Sequence, residues 1–275
     1  MESVLTAVLT LGALAFAAGL LLSVAAKVFY VPIDPRVGQI GDLLPGANCG
    51  GCGFAGCLDL AGAIVSGQTP PNACRCASEE ANRRIAALIG AVLEEREREV
   101  ACIFCKGDAA HARLRFRYLG IADCRAAELV AGGDKACAYG CLGLGTCVNA
   151  CIFGALRMGE DGLPVVNPDR CTACGACVRI CPRRIPRLVP VSQKAIAFCS
   201  SHDPGKVVKE VCTVGCIACG LCKKVCPENA IEIVSLLAVV DPAKCTGCGK
   251  CFEKCPTGII RPASGEAPAR RQAAA

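Results

Sequence analysis

The 275-residue chain has no tryptophan, and aromatic residues make up only 4% of it. A large conventional core, which draws much of its buried area from aromatic rings, is not expected. Histidine is nearly absent. Only His111 and His202 occur, neither falls in a motif, and each reads as an ordinary surface or structural residue. A self-contained reductase acting on a small substrate needs acid–base groups gathered in a pocket, and the sequence offers none. No basic stripe interleaved with aromatics is present, which leaves no footprint for nucleic acid. The one GxGxxG match, Gly51 to Gly56, follows Pro and Gly instead of a strand. It is not a dinucleotide site, and its glycines read as serving a tight loop.

Cysteine is what the chain has in excess, 26 residues of it. That density fits either a disulfide scaffold or a metal protein. Disulfide scaffolds are usually short secreted chains. This chain is long, and its cysteines stand two or three residues apart in repeated quartets. Such neighbours pair poorly with each other but wrap readily around one metal centre. Bound clusters require thiolates, so the quartets also imply a reducing compartment.

The amino-terminal segment from Val4 to Ala26 carries no charge and is rich in Leu, Ala and Val. Its length spans a bilayer core as a tilted helix. Glu2 precedes it. Lys27, the interfacial pair Phe29 and Tyr30, and Arg36 follow it. Positive charge after the span puts the carboxyl-terminal bulk on the cytoplasmic side. A cleaved signal peptide fits poorly, because there is no basic leading region and the apolar run is too long. The expected location is the plasma membrane of a bacterial cell, single-pass, with the lipid bilayer as a partner.

Three stretches match the bacterial ferredoxin run C-x2-C-x2-C-x3-C-P. They are Cys171–Cys181 with Pro182, Cys216–Cys226 with Pro227, and Cys245–Cys255 with Pro256. In such runs three cysteines hold one [4Fe–4S] cluster and the fourth reaches the neighbouring one. One cluster is therefore expected on Cys216, Cys219, Cys222 and Cys255, and its sister on Cys245, Cys248, Cys251 and Cys226. The earlier unit repeats the scheme, with Cys171, Cys174, Cys177 and Cys151 on one cluster. Cys137, Cys141, Cys147 and Cys181 are expected on the other. That run is stretched, and Ile152 stands where Pro is usual. Zinc ribbons separate their two CxxC pairs by longer segments, so zinc held by four cysteines is the weaker reading.

Cys49, Cys52, Cys57 and Cys74 form an isolated quartet with no sister run nearby, expected to hold one cluster together. Six cysteines remain. Cys105, Cys124, Cys199 and Cys212 are the expected ligands of a sixth cluster, between the membrane-proximal domain and the ferredoxin units. Cys76 and Cys102 are left as ordinary small apolar residues. The formal net charge is +6 with every cysteine counted as neutral. An oxidised [4Fe–4S] core with its four thiolates carries −2, so six centres bring the total to about −6.

The expected fold class is α+β. A single transmembrane helix (1–30) leads into an isolated 4Fe–4S domain (31–101). Its helix starts at Ser78, with Glu79 and Glu80 in the first turn, and runs to about Val100 through the mixed-charge run Glu94–Glu99. Two tandem bacterial-ferredoxin-like units follow, at 102–190 and 191–262, with apolar runs such as Ala230–Val234 and Leu236–Val240 forming hairpins. The Ala/Pro/Arg-rich tail, 263–275, is expected to be disordered.

These parts, in this order, resemble the B subunit of the Rnf complex, an ion-translocating ferredoxin:NAD+ oxidoreductase of bacterial membranes. The likeness lies in the anchor, the Asn48–Cys57 loop, Asp123-Cys-Arg-Ala-Ala, Cys137–Cys147 with its Cys-Leu-Gly-Leu-Gly core, and Gly215–Cys222. It implies a translocase component that takes electrons from soluble ferredoxin and passes them to other membrane and peripheral subunits. Those subunits hold the flavins and the nicotinamide site; this chain alone is an electron carrier. A stand-alone polyferredoxin or an iron–sulfur redox sensor is the alternative reading.

Overall fold

The computed structural model describes residues 2–29, 34–93 and 96–263. Tyr30, Glu94, Glu95 and the tail from residue 264 lie outside the described residues. Helix α1 (Glu2–Val28) contains a 24-residue stretch, Leu5–Val28, of mean hydropathy 2.3, with none of it buried against the rest of the chain. It is long and apolar enough to cross a membrane.

Three helices build the next domain. Helix α2 (Pro35–Leu43) begins at Asp34, whose carboxylate accepts the Arg36 N–H at 2.8 Å, with Pro35 in the first turn where no N–H is needed. Helix α3 (Cys57–Val65) follows the cysteine loop. Helix α4 (Glu79–Ile89) is capped by the Ser78 hydroxyl, which accepts the Ala81 N–H at 3.1 Å. Ile40, Leu60, Ile64 and Ile85 interlock between the three helices, each at most 1% exposed. Ile85→Ala is expected to cost about 2–5 kcal/mol of this domain's stability, the range for a buried Ile or Leu emptied to Ala. Urea unfolding followed by far-UV circular dichroism measures it.

Helix α4 stops well short of the expected Val100. Gly90 takes a left-handed conformation (φ 69) and caps the helix end. Residues 99–103 are then extended as strand β1 (Glu99–Ile103). The chain continues through α5 (Cys124–Leu129), α6 (Thr146–Asn149), β2 (Leu156–Met158), β3 (Pro164–Val166), α7 (Ala176–Ile180) and β4 (Pro186–Pro190). Then come β5 (Ala195–Ala197), α8 (Gly205–Val211), α9 (Leu221–Lys224), β6 (Ile231–Val234), β7 (Leu237–Val240), α10 (Lys250–Lys254) and β8 (Ile260–Pro262).

The pairings divide this region into two similar halves. In the first, β1 pairs antiparallel with β4 around the β2–β3 hairpin; in the second, β5 pairs with β8 around the β6–β7 hairpin. The 231–240 hairpin is where the apolar runs predict it. Strand β1 starts at Glu99 and so straddles the boundary expected at 101/102. Ile185 and Leu163 centre one core, and Ile196, Ile231, Ile259 and Ile260 the other, each interleaved with buried cysteines. Helices α5 and α8 stand outside this shared pattern; α5 begins with Cys124 and α8 ends at its cap residue Cys212, cysteines the simple runs do not have.

Candidate iron–sulfur centres

The three exact runs share one loop geometry. Gly175, Gly220 and Gly249, between the second and third cysteines, have φ of 74, 70 and 78 and start the short helices α7, α9 and α10. Ala173 and Ala218, between the first and second, are held at φ 54 despite carrying a Cβ. Such strain persists only where the surroundings dictate the turn. The turn wraps the three thiols of each run around a common space.

Four cavities are each lined by a cysteine quartet. One, with about 340 Å³ of empty space partly open to solvent, has Cys49, Cys52, Cys57 and Cys74 in its wall, beside Cys76. A second, about 310 Å³, has Cys216, Cys219, Cys222 and Cys255. A third, about 390 Å³, has Cys124, Cys141, Cys147 and Cys181. A fourth, about 400 Å³, has Cys105, Cys137, Cys199 and Cys212. Elsewhere, Cys177 lies close to Cys171, Cys174 and Cys151, and Cys251 close to Cys245 and Cys248. Among the described residues no cysteine, histidine or acid groups converge on the single point that one metal ion needs. The quartets surround wider spaces instead, as a multi-atom centre requires.

Two residues exchange places relative to the spacing. Cys137 does not join Cys141, Cys147 and Cys181; it faces Cys105, Cys199 and Cys212. Cys124 takes its place. The cause is in the backbone. Residues 112–114 run between two neighbours, with Ala112 bridging to Cys212 and Leu114 to Lys135. Arg113 bonds both sides, its N–H donating to Val211 O and its O accepting from Ala136 N. This laces Cys137 to Cys212. Meanwhile the Asp123 carboxylate caps α5, and the Cys124 N–H donates to Thr146 Oγ1 at 2.7 Å, which pins Cys124 beside Cys147. The stretched x3 and x5 spacing was the only sequence signal of the exchange.

The fourth cavity lies between the two halves, not beside the membrane-proximal domain. Cys141 N–H donates to Cys105 Sγ at 3.4 Å from the first half. Cys216 N–H donates to Cys199 Sγ at 3.4 Å from the second. The membrane-proximal domain instead meets the first half directly. Cys76 Sγ lies 3.4 Å from Thr172 Oγ1. Arg179 donates to Cys174 O at 3.0 Å and to Cys49 O at 3.3 Å.

Burial pushes the Cys141, Cys147 and Cys251 thiols up to about 12, and those of Cys177, Cys199 and Cys222 to about 11; neighbouring thiols add to the shift. A buried thiolate group needs positive charge among its sulfurs, which a cationic iron–sulfur core supplies. Amide N–H groups add to that: Ala155, Ile185 and Ala230 donate to the Sγ of Cys151, Cys181 and Cys226 at 3.2, 3.4 and 3.3 Å. The Cys74 and Cys76 thiols share a hydrogen bond, which lowers that of Cys74 and raises that of Cys76. Burial raises Cys102 to about 11; it lies on β1, outside the four cavities. His111 pairs with Asp108 at 2.7 Å, and His202 contacts Ser235 O at 2.9 Å and the edge of Tyr139. Both are surface contacts.

Three family models match parts of the chain. One for an Fe-S cluster domain matches residues 44–76, a 4Fe-4S binding domain matches 164–187, and a 4Fe-4S dicluster domain matches 215–259. Over 89% of its length the chain is 47% identical to the B subunit of the ion-translocating oxidoreductase complex of Methanosarcina acetivorans, covering 93% of that protein. The chain belongs to the B-subunit family of ion-translocating oxidoreductase complexes. It is also 44% identical to the B subunit of the Na(+)-translocating ferredoxin:NAD(+) oxidoreductase complex of Acetobacterium woodii, over 88% of this chain and 72% of that one. With the proton-translocating counterpart of Clostridium ljungdahlii it shares 43% identity, over 81% and 79%.

Proposed function

We propose that this chain is a membrane-anchored electron relay in a ferredoxin:NAD+ oxidoreductase complex of the Rnf type, built on six [4Fe–4S] centres. The two halves act as tandem ferredoxin-like units. The ligand sets are Cys49, Cys52, Cys57 and Cys74; Cys151, Cys171, Cys174 and Cys177; Cys124, Cys141, Cys147 and Cys181; Cys105, Cys137, Cys199 and Cys212; Cys216, Cys219, Cys222 and Cys255; and Cys226, Cys245, Cys248 and Cys251. When bound, each centre takes up and returns one electron.

The observation that carries this reading is that exchanging Cys124 and Cys137 completes every quartet and leaves only Cys76 and Cys102 over. The contacts between quartets order them along one line. The Cys49 quartet abuts the Cys171 loop through Thr172, and the Cys177 and Cys147 thiols feel each other's charge. Amides of Cys141 and Cys216 join the fourth cavity to its two neighbours. Cys222 then neighbours Cys251. Helix α1 sits nearest in sequence to the Cys49 quartet, which makes that end the one facing the membrane subunits. Cys219 and Cys248 are exposed at the other end, beside Lys223, Lys224, Lys250 and Lys254 on α9 and α10. A soluble ferredoxin of acidic surface fits there.

Iron and sulfide counts on the anaerobically prepared full chain test the reading. About 24 irons per chain support six centres, and about 20 remove the sixth. Bleaching of the visible absorption by reduced ferredoxin, without added NAD+, is the expected sign of electron acceptance.

A further inference from the structure

Lys135 is one of the few buried charged residues, only 6% exposed. Its ammonium donates to Gly107 O at 2.6 Å. No Asp or Glu among the described residues pairs with it. A buried cation without a carboxylate is costly unless something else nearby is negative. What lies nearby is the Cys105 quartet. A Cβ built on Gly107 would touch Cys212 Sγ at 3.3 Å and Cys105 Sγ at 3.8 Å, so the carbonyl that holds the ammonium belongs to a residue pressed against two of the four thiols. The ammonium's charge also reaches Cys212 on one side and Cys141 on the other.

Other cations border the same space, but each is less buried or has another partner, and Arg187, which donates to Ser200 Oγ and feels the Cys199 charge, is only half-buried. Arg183, which donates to Cys137 O and Gly140 O, is paired with Glu128 at 2.6 Å. Arg187 stacks on Phe104, and Lys106 lies over Phe198. Asp108 is taken up by His111. Lys135 alone combines deep burial with a charge that no carboxylate answers.

We propose that Lys135 is a positioning residue for charge: it raises the reduction potential of the centre held by Cys105, Cys137, Cys199 and Cys212. The proposal rests on the six-centre reading above. One-electron reduction, with the electron supplied by a neighbouring centre, adds a unit of negative charge without making or breaking a bond. A fixed cation buried beside the thiolates stabilises that reduced form more than the oxidised one. The centre that joins the two halves is thereby made a favourable resting point for the electron: transfer onto it is made more downhill, and transfer off it correspondingly less so.

An EPR-monitored redox titration of the full, cluster-loaded chain tests this, with the transition lost in Cys199→Ala marking the centre in question. Lys135→Gln is expected to move that midpoint negative by at least the equivalent of a tenfold change in the one-electron equilibrium, about 59 mV. Lys135→Arg is expected to restore it. Leu114 is half exposed and bridges to Lys135. Leu114→Glu therefore brings an opposing charge to the ammonium without removing it, and is expected to shift the same midpoint in the same direction. If Lys135→Gln loses iron, Leu114→Glu decides. A midpoint unchanged in every variant that retains its iron overturns the proposal. A wild-type count of about 20 irons overturns the six-centre reading instead.

Discussion

Replacing Cys137 with alanine is expected to abolish the same EPR transition as replacing Cys199, whereas replacing Cys124 abolishes the one lost with Cys181. A ferredoxin-type reading of the spacing gives the reverse pairing, so four single variants separate the two. The effect is large because each centre takes four thiolates and ligation supplies folding energy as well as redox chemistry. Without Cys137 three thiols remain around a cavity of about 400 Å³, with Lys135 beside them. We expect the segment Ala112–Lys135–Cys212 to loosen, since the quartet is what the bridges at Ala112 and Leu114 hold in place. Hydrogen exchange at the amides of Arg113 and Ala136 reports it. Cys124→Ala leaves those amides protected, and its backbone N–H can still donate to Thr146 Oγ1. A Cys137→Ala chain that keeps the Cys199 transition and loses the Cys181 transition would sink the exchange.

The second large effect is expected at Gly51. A Cβ there would lie 2.6 Å from Cys174 O and 3.1 Å from Cys174 Cα. These are backbone atoms of a ligand loop, and they cannot swing aside like the end of a side chain. Gly51→Val must force the membrane-proximal domain away from the first half, and overpacking of this kind costs about 1–3 kcal/mol. It also stretches the Arg179 clamp, which donates to Cys49 O and Cys174 O together. All ligands stay in place, so the iron count is expected to remain at the wild-type value. Electron arrival at the Cys49 centre, followed by freeze-quenched EPR after adding reduced ferredoxin, is expected to slow. Gly62→Ala makes the control. It sits inside α3 with nothing within 4 Å of the added Cβ, and a helix-interior Gly→Ala exchange gains roughly 0.5–1 kcal/mol. Unchanged arrival kinetics in Gly51→Val would show that this junction is not on the electron path.

What the sequence made legible followed from distance along the chain. The three exact runs put their thiols within eleven residues, so local spacing alone identifies them, and the 231–240 hairpin shows in its paired apolar runs. Helix α1 needed only composition. The fourth cavity was not legible, because Cys105, Cys137, Cys199 and Cys212 come from four separate segments joined by single bridges, not by a ladder. Elimination gave Cys105, Cys199 and Cys212 but put Cys124 in the place of Cys137. The end of α4 was missed for a different reason. Gly90 is a visible stop, but the charged run beyond it has good helical propensity, and only the pairing of β1 with β4 draws residues 99–103 into extended form.

The quartet between the halves also bears on how the protein is made. Cys105 emerges from the ribosome long before Cys199 and Cys212, with nearly the whole first half synthesised in between. Its site therefore stays open until the second half has begun to fold, whereas the Cys49 quartet can close early. On the six-centre reading, loading of this site waits for the second half, and a truncated product lacking that half is left with two stranded thiols, Cys105 and Cys137, in an otherwise finished unit.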